Sequence, residues 1–241
     1  MKISLRMDDV GASTKMYEIY SKNRIGNISF LKYYKPFKAW GPYRELTTTQ
    51  LHQMIDLLIK YKSKLTVAIT SSWVEKNSVL IPFDEKFPHQ AKIIKKAVDE
   101  KYIEIASHGL THCVVGKHLP RLFLSNRKYH REFWDWLPYN LHYDNLKKSK
   151  ISLEKWSLHK ITSFVPSGNV YSLKTIKAAT KLGFQKINCS KIIEHNYAIE
   201  VLDNKFVYPF HDRDIVINGI EWFENILKTY KNYEHKFLKE L

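Results

Sequence analysis

Ile3-Ser4-Leu5-Arg6-Met7-Asp8-Asp9-Val10-Gly11 is the stretch on which the reading of the fold turns. Its first half is short and apolar, the signature of a buried strand. It ends on two adjacent carboxylates, which repel each other and are costly to desolvate. A fold tolerates such a pair where a cation or a chemical task compensates. A second segment repeats the arrangement about one hundred residues later. Tyr102-Ile103-Glu104-Ile105-Ala106 is apolar in the same way, and Ser107-His108-Gly109-Leu110-Thr111-His112 follows it. One strand end presents carboxylates and the other imidazoles. Together they can supply hard oxygen and borderline nitrogen ligands to one metal.

Outward from these two stretches, strand-like and helix-like segments alternate. Thr47 and Gln50 form a capping box that opens a helix with Leu51, Met54, Ile55, Leu58 and Ile59 on one face. Leu65-Thr66-Val67-Ala68-Ile69-Thr70 reads as a buried strand, residues 90–100 as a helix and 102–106 as a strand. Residues 143–159 have helical spacing, 161–165 read as a strand, and 172–182 as a helix closed by Gly183. Strands at 184–188 and 206–210 and a helix at 220–230 complete the pattern. Such alternation implies parallel strands with helical crossovers, and the unusual residues fall where strands end, as sites do in barrels and open α/β sheets. Two long irregular segments, 21–46 and 114–140, carry many aromatic residues and would rise from that same rim, to stack on sugar rings, to rest on a lipid surface or to pack among themselves.

The 241 residues, 44% of them hydrophobic, suit one domain with a sizeable core, spanning 1–241. No segment is long and apolar enough to span a bilayer, and Met1-Lys2 leads straight into the first strand without a signal pattern. The expectation is a cytoplasmic protein. Cys113 and Cys189 offer no disulfide framework. A net charge of +15 favours an anionic partner, whether nucleic acid, anionic membrane surface or phosphorylated substrate. No zinc-knuckle spacing or RNA-recognition aromatic motif accompanies it, so the reading is no nucleic acid.

Asp9 with His108 and His112 forms a two-histidine, one-carboxylate set with room for water, as a catalytic metal needs. The four-residue spacing would place both rings on one face of a helical turn. Asp8 is then available as a general base. Ser163-Phe164-Val165-Pro166-Ser167-Gly168-Asn169 ends a strand in a turn whose N–H groups could hold an oxyanion. Tyr208-Pro209-Phe210-His211-Asp212-Arg213-Asp214 delivers an imidazole between two carboxylates, suited to act as a general acid. Taken singly, each segment has a plainer reading: a turn or capping pair, an incidental histidine pair, an ordinary strand-to-helix turn, a surface ion-pair cluster.

In this order the four segments resemble the polysaccharide deacetylase family with the NodB homology domain, carbohydrate esterase family four. The matching residues are Met7-Asp8-Asp9-Val10-Gly11, His108-Gly109-Leu110-Thr111-His112, Phe164-Val165-Pro166-Ser167-Gly168 and Phe210-His211. The chain is most similar to the branch associated with surface-polysaccharide or O-antigen biosynthesis. The resemblance implies a distorted (β/α) barrel with seven strands rather than eight. It implies one divalent metal, usually zinc, and hydrolysis of an N-acetyl group from an amino sugar. Position by position, it makes Asp8 the base, Asp9, His108 and His112 the metal ligands, and His211 the acid that protonates the leaving amine. Pro166, Ser167 and Gly168 become the substrate-binding and oxyanion turn. The substrate it implies is an acetylated amino sugar. Nucleotide or lipid-diphosphate linkage would suit the positive charge, the latter with peripheral membrane contact.

The chain departs from the family pattern in places. Val165 stands where an arginine usually orients the base, and Arg6 or Arg213 is the available substitute. Gly109 stands where serine or threonine is usual, and no aspartate-tryptophan motif occurs in 187–203. These departures keep a second reading open, a non-catalytic carbohydrate-binding relative.

Overall fold

Strand β1 (Lys2–Val10) is buried from its second residue onward, because it runs through the middle of the sheet. This is seen in a computed structural model, which describes residues 1–16, 44–75, 77–118 and 127–241. On one side β1 pairs in parallel with β2 (Leu65–Ile69). A small antiparallel hairpin, β3 (Ser72–Val74) and β4 (Leu80–Pro82), follows β2 and leads into the short α2 (Phe83–Lys86). Beyond β2 the sheet continues in parallel through β5 (Ile103–Ser107), β6 (Ser163–Phe164), β7 (Lys186–Asn188) and β8 (Glu200–Leu202). On its other side β1 pairs with β9 (Val207–His211), and the two-residue β10 (Glu234–His235) joins the start of β1. Seven parallel strands, with β10 as an addition, form a curled half-barrel, as expected.

Helices cover the outer face. The capping box of α1 (Thr48–Lys60) forms as read, with Gln50 N donating to Thr47 Oγ1 at 3.2 Å and Thr47 N to Gln50 Oε1 at 3.1 Å. Leu51, Met54, Ile55 and Leu58 are buried, at roughly 1.5–3 kcal/mol of burial each. Ile59 is not; it lies at the edge of the apolar face and is 43% exposed. α3 (Pro88–Asp99), α4 (Tyr139–Ser157), α5 (Leu173–Lys181), α6 (Asp212–Asn218) and α7 (Ile220–Thr229) complete the layer. α4 starts four residues before the expected 143; β2, β6 and β7 are shorter than their apolar runs, β1 extends past its run through both aspartates, and β5 and β9 are shifted by one residue. The additional elements β3, β4, β8, β10, α2 and α6 are too short to have a clear period. None of the described helices is long and apolar enough to cross a membrane.

The inner face of the barrel is narrow. Ala68, Ala106, Val165 and Val207 line it, and Leu238 from the turn Leu238–Glu240 plugs the end where the strands begin. Both cysteines are free and buried. Of the aromatic loops, the Tyr33-to-Tyr43 cluster lies outside the described residues. Trp136 is half exposed, with its ring edge-on to Tyr129.

Candidate metal centre and active site

Neighbouring residues of a strand point to opposite faces, so two adjacent aspartates could not normally share one site. A β-bulge removes the difficulty. Met7 pairs with Val67 and Val10 with Ile69, so Asp8 and Asp9 together face the single Ala68. Asp9 adopts a left-handed backbone, φ 70°, which aspartate tolerates better than most residues. Both carboxylates are buried.

β5 ends beside this bulge and releases His108. Asp9 Oδ1 lies 3.1 Å from His108 Nε2 and 3.2 Å from His112 Nε2. The expectation of a helical turn is not met: the histidines sit on an irregular loop with Gly109 at φ 91° and His112 at φ 63°, and their rings are 5.1 Å apart. What folds the loop is Glu132, whose carboxylate receives the backbone N–H of His112 at 3.0 Å and of Thr111 at 3.3 Å. Burial pushes the Glu132 carboxyl up to about 8, against these bonds and that of Asn145. Sequence reading passed over Glu132, which has no motif around it.

The donor set fits a cation. His108 Nδ1 donates to Val165 O at 2.8 Å, so in the neutral ring Nε2 turns a lone pair toward Asp9 Oδ1. Two acceptors facing each other at that distance need a second ring proton or a metal ion between them. Thr14 Oγ1 holds His112 Nδ1 at 2.9 Å, leaving its Nε2 directed the same way. The three ligand atoms lie within 4.8 Å of one another. One carboxylate and two imidazoles suit zinc or another divalent first-row ion with coordination positions left open.

The two carboxylates have separate arginines. Arg6 grips Asp8 in a bidentate pair, Nε to Oδ1 at 2.8 Å and Nη2 to Oδ2 at 2.7 Å. Arg6 Nη1 bonds Asn188 Oδ1 on β7, and Asn188 is tied to the carbonyls of Leu202 and Asp203 at 3.0 Å. Arg6, only two residues from Asp8, thus orients it without an arginine at position 165. Val165 contributes its carbonyl instead, to His108. Arg213 pairs with Asp9. Burial would raise the Asp9 carboxyl, but the neighbouring Arg213 charge, the largest of the opposing influences, holds it well below the usual carboxylate range.

His211 lies directly opposite Asp8 on β9. The two aspartates beside it do different work. Asp214 accepts the His211 backbone N–H at 2.8 Å and stands 3.6 Å from its Nδ1. Burial lowers the His211 imidazole, but Asp214 and the charges of Asp9 and Asp8 outweigh it and raise the ring above its ordinary value. Asp212 does not flank the ring as expected; it is fully buried against Lys15, which also holds Glu45 at 2.9 Å. The Pro166, Ser167, Gly168 turn follows Val165, whose carbonyl meets His108; Ser167 is buried and the Arg131 side chain packs against Gly168.

Residues 41–187 match the polysaccharide deacetylase family. The chain belongs to that family. The matched span of this deacetylase-family chain holds His108, His112 and the Pro166 turn; Asp8, Asp9 and His211 lie outside it. Similar folds occur in a family 4 acetyl xylan esterase from Clostridium thermocellum in complex with a cobalt ion, with 13% identity over all of this chain and 89% of that one and a TM-score of 0.56. A CE4 family pseudoenzyme from Bacillus anthracis has 13% identity and a TM-score of 0.52; all of this chain is covered, and it spans 64% of the pseudoenzyme's length. A 4-alpha-glucanotransferase from Thermococcus litoralis has 12% identity over 99% of this chain and 37% of that one, with a TM-score of 0.54. At these identities the likeness is one of fold, and the fold carries more than one chemistry. No curated protein sequence matches the chain.

Proposed function

We propose that the protein is a metal-dependent hydrolase that removes the N-acetyl group from an amino sugar in surface-polysaccharide biosynthesis. The observation that carries this reading is the convergence of Asp9, His108 and His112 within 4.8 Å beside an Asp8 that has its own arginine. A divalent ion, zinc by ligand type, would be held by those three residues and would acidify water and polarise the amide carbonyl. Asp8, oriented by Arg6, takes the proton from the attacking water. His211, opposite Asp8 and favoured in its protonated form by Asp214, delivers a proton to the departing amine nitrogen. On this reading N–H groups of the Ser167–Gly168 turn are the donors to the developing oxyanion. Acetate and a free amino sugar result.

On this reading the substrate is carried on a nucleotide or a lipid diphosphate, in the cytoplasm or at the inner membrane surface, and the chain's net charge of +15 supports an anionic carrier. A second reading, a non-catalytic carbohydrate-binding relative, is motivated by Val165 in place of an arginine and by the fold likeness to a pseudoenzyme. Metal content of protein purified without chelator, beside His108→Ala, is the first test. About one ion per chain, lost in the variant, supports the site; acetate release from a panel of acetylated amino sugars then separates the two readings. A chain that neither carries metal nor takes it up on titration would end the hydrolytic one.

A further inference from the structure

The loop that presents both imidazoles is tied at Gly109 and Leu110 by Ser149, Ser71 and Ser72, and at the backbone of Thr111 and His112 by the side chain of Glu132. Glu132 is 1% exposed and follows the turn Arg127–His130. Its Oε1 gathers the N–H groups of His112 and Thr111. Its Oε2 receives Asn145 Nδ2 of α4 at 3.0 Å and lies 3.4 Å from Thr111 Oγ1, whose own proton goes to Cys113 O at 2.8 Å. The carboxyl therefore links the histidine loop to the helix layer.

Gly109 belongs to the same device. A Cβ at this position would overlap Glu132 Oε1 and come within 3.0 Å of Phe133 Cε2. Its φ of 91° already lies where side chains are disfavoured. The space that a residue with a side chain would fill is occupied by the Glu132 carboxyl. His112 is also left-handed, a conformation that needs support in a residue with a Cβ. The His112 N–H bonded to Glu132 belongs to that strained residue itself.

We propose that Glu132 is a positioning residue: with Gly109 leaving room for it, it fixes the backbone of His112 and so sets the affinity of the metal centre. This rests on the metal reading above. A ligand already held in its coordinating pose gives up no freedom when a cation arrives, and residues that orient metal ligands typically account for about 10–100-fold in affinity.

The test uses the full chain and two readouts: cobalt affinity by titration, and hydrogen exchange of the Thr111 and His112 amides in metal-free protein. Glu132→Ala removes the acceptor. Glu132→Met does so while keeping the volume, and serves if the alanine variant does not fold. Glu132→Gln keeps a carbonyl for the two N–H groups and an N–H for Thr111 Oγ1, with the Asn145 amide turned so that its Oδ1 accepts from the new nitrogen. We expect Glu132→Met to expose both amides and weaken cobalt binding about 10–100-fold, while Glu132→Gln keeps both close to the parent. A folded methionine variant with parental exchange and parental affinity overturns the proposal, as does equal loss in the glutamine and methionine variants. A parent chain that takes up no cobalt fails on the metal reading itself; the exchange rates, which need no metal, tell that result apart from failure of the clamp.

Discussion

Where the barrel strands end, Asp8 and Asp9 each meet a guanidinium; where they begin, Glu104 meets two hydroxyls. All three carboxylates are buried. At the first end, arginine partners offset the burial cost, and Asp9 is held strongly ionised. At the other, Thr66 at 2.8 Å and Ser163 at 2.6 Å do not offset it, and burial raises the Glu104 carboxyl. The same barrel thus favours charge at its mouth and disfavours it at its floor. Burial alone does not mark a functional carboxylate; the partner does.

The largest break in this comparison is expected at Asp8. Asp8→Asn keeps the shape and removes the base. Acetate release should fall about 10²–10⁴-fold while metal content stays at the parent level. Undiminished turnover would remove Asp8 from its assigned role.

Next come the two arginines. Arg6→Met leaves Asp8 buried without its partner, a change that typically costs about 3–5 kcal/mol. Urea unfolding should show that loss, and added metal should not restore it, because Asp8 is not among the three ligands. Arg213→Met strips a charge from Asp9, which a bound cation can replace. Its stability should therefore recover on saturation with zinc. Equal recovery in both variants would erase the distinction drawn between the two carboxylates.

How far this division could be read from the chain depends on whether a feature is local. The apolar run before Asp8-Asp9 and the Thr47–Gln50 cap are contiguous, and each came out where expected; the histidine pair does meet at Asp9, but on an irregular loop rather than the expected helical turn. The bulge was not legible, since it exists only in the register of β1 against β2. Glu132 reaches His112 across 20 residues and Asn188 reaches Arg6 across 182, with no periodicity to announce either. The choice between Arg6 and Arg213 as the substitute for a missing arginine was visible as a choice, and only the side-chain geometry assigns each to its own carboxylate. Asp212 misled because proximity in sequence to His211 suggested contact, whereas a buried Lys15 takes it.

A smaller effect is expected at His211. Its raised value means protons are bound more tightly in the folded chain. Its stabilising contribution is therefore present below the unfolded value, about 6.5, and is lost as pH rises through the folded one. An NMR titration of the metal-free protein should place His211 above that reference. Asp214→Asn should move it down, because Asp214 supplies the largest of the raising influences. A midpoint unmoved by that substitution would leave the general-acid assignment without its support.

The smallest effect is expected at the floor, and its sign runs opposite to that of a paired carboxylate. Glu104 has a raised folded-state value, so the unfolded chain gives up its proton first, and stability drains as pH rises from the ordinary glutamate range toward the folded value. Glu104→Gln has no charge to lose and can still bond Thr66 and Ser163. It should melt no higher than the parent at pH 4 and higher at pH 8, by roughly 2–4 °C. A variant that melts lower at pH 8 would mean that the Glu104 charge is used and stabilised at the floor as Asp9 is at the mouth, and the contrast between the two ends would have to be given up.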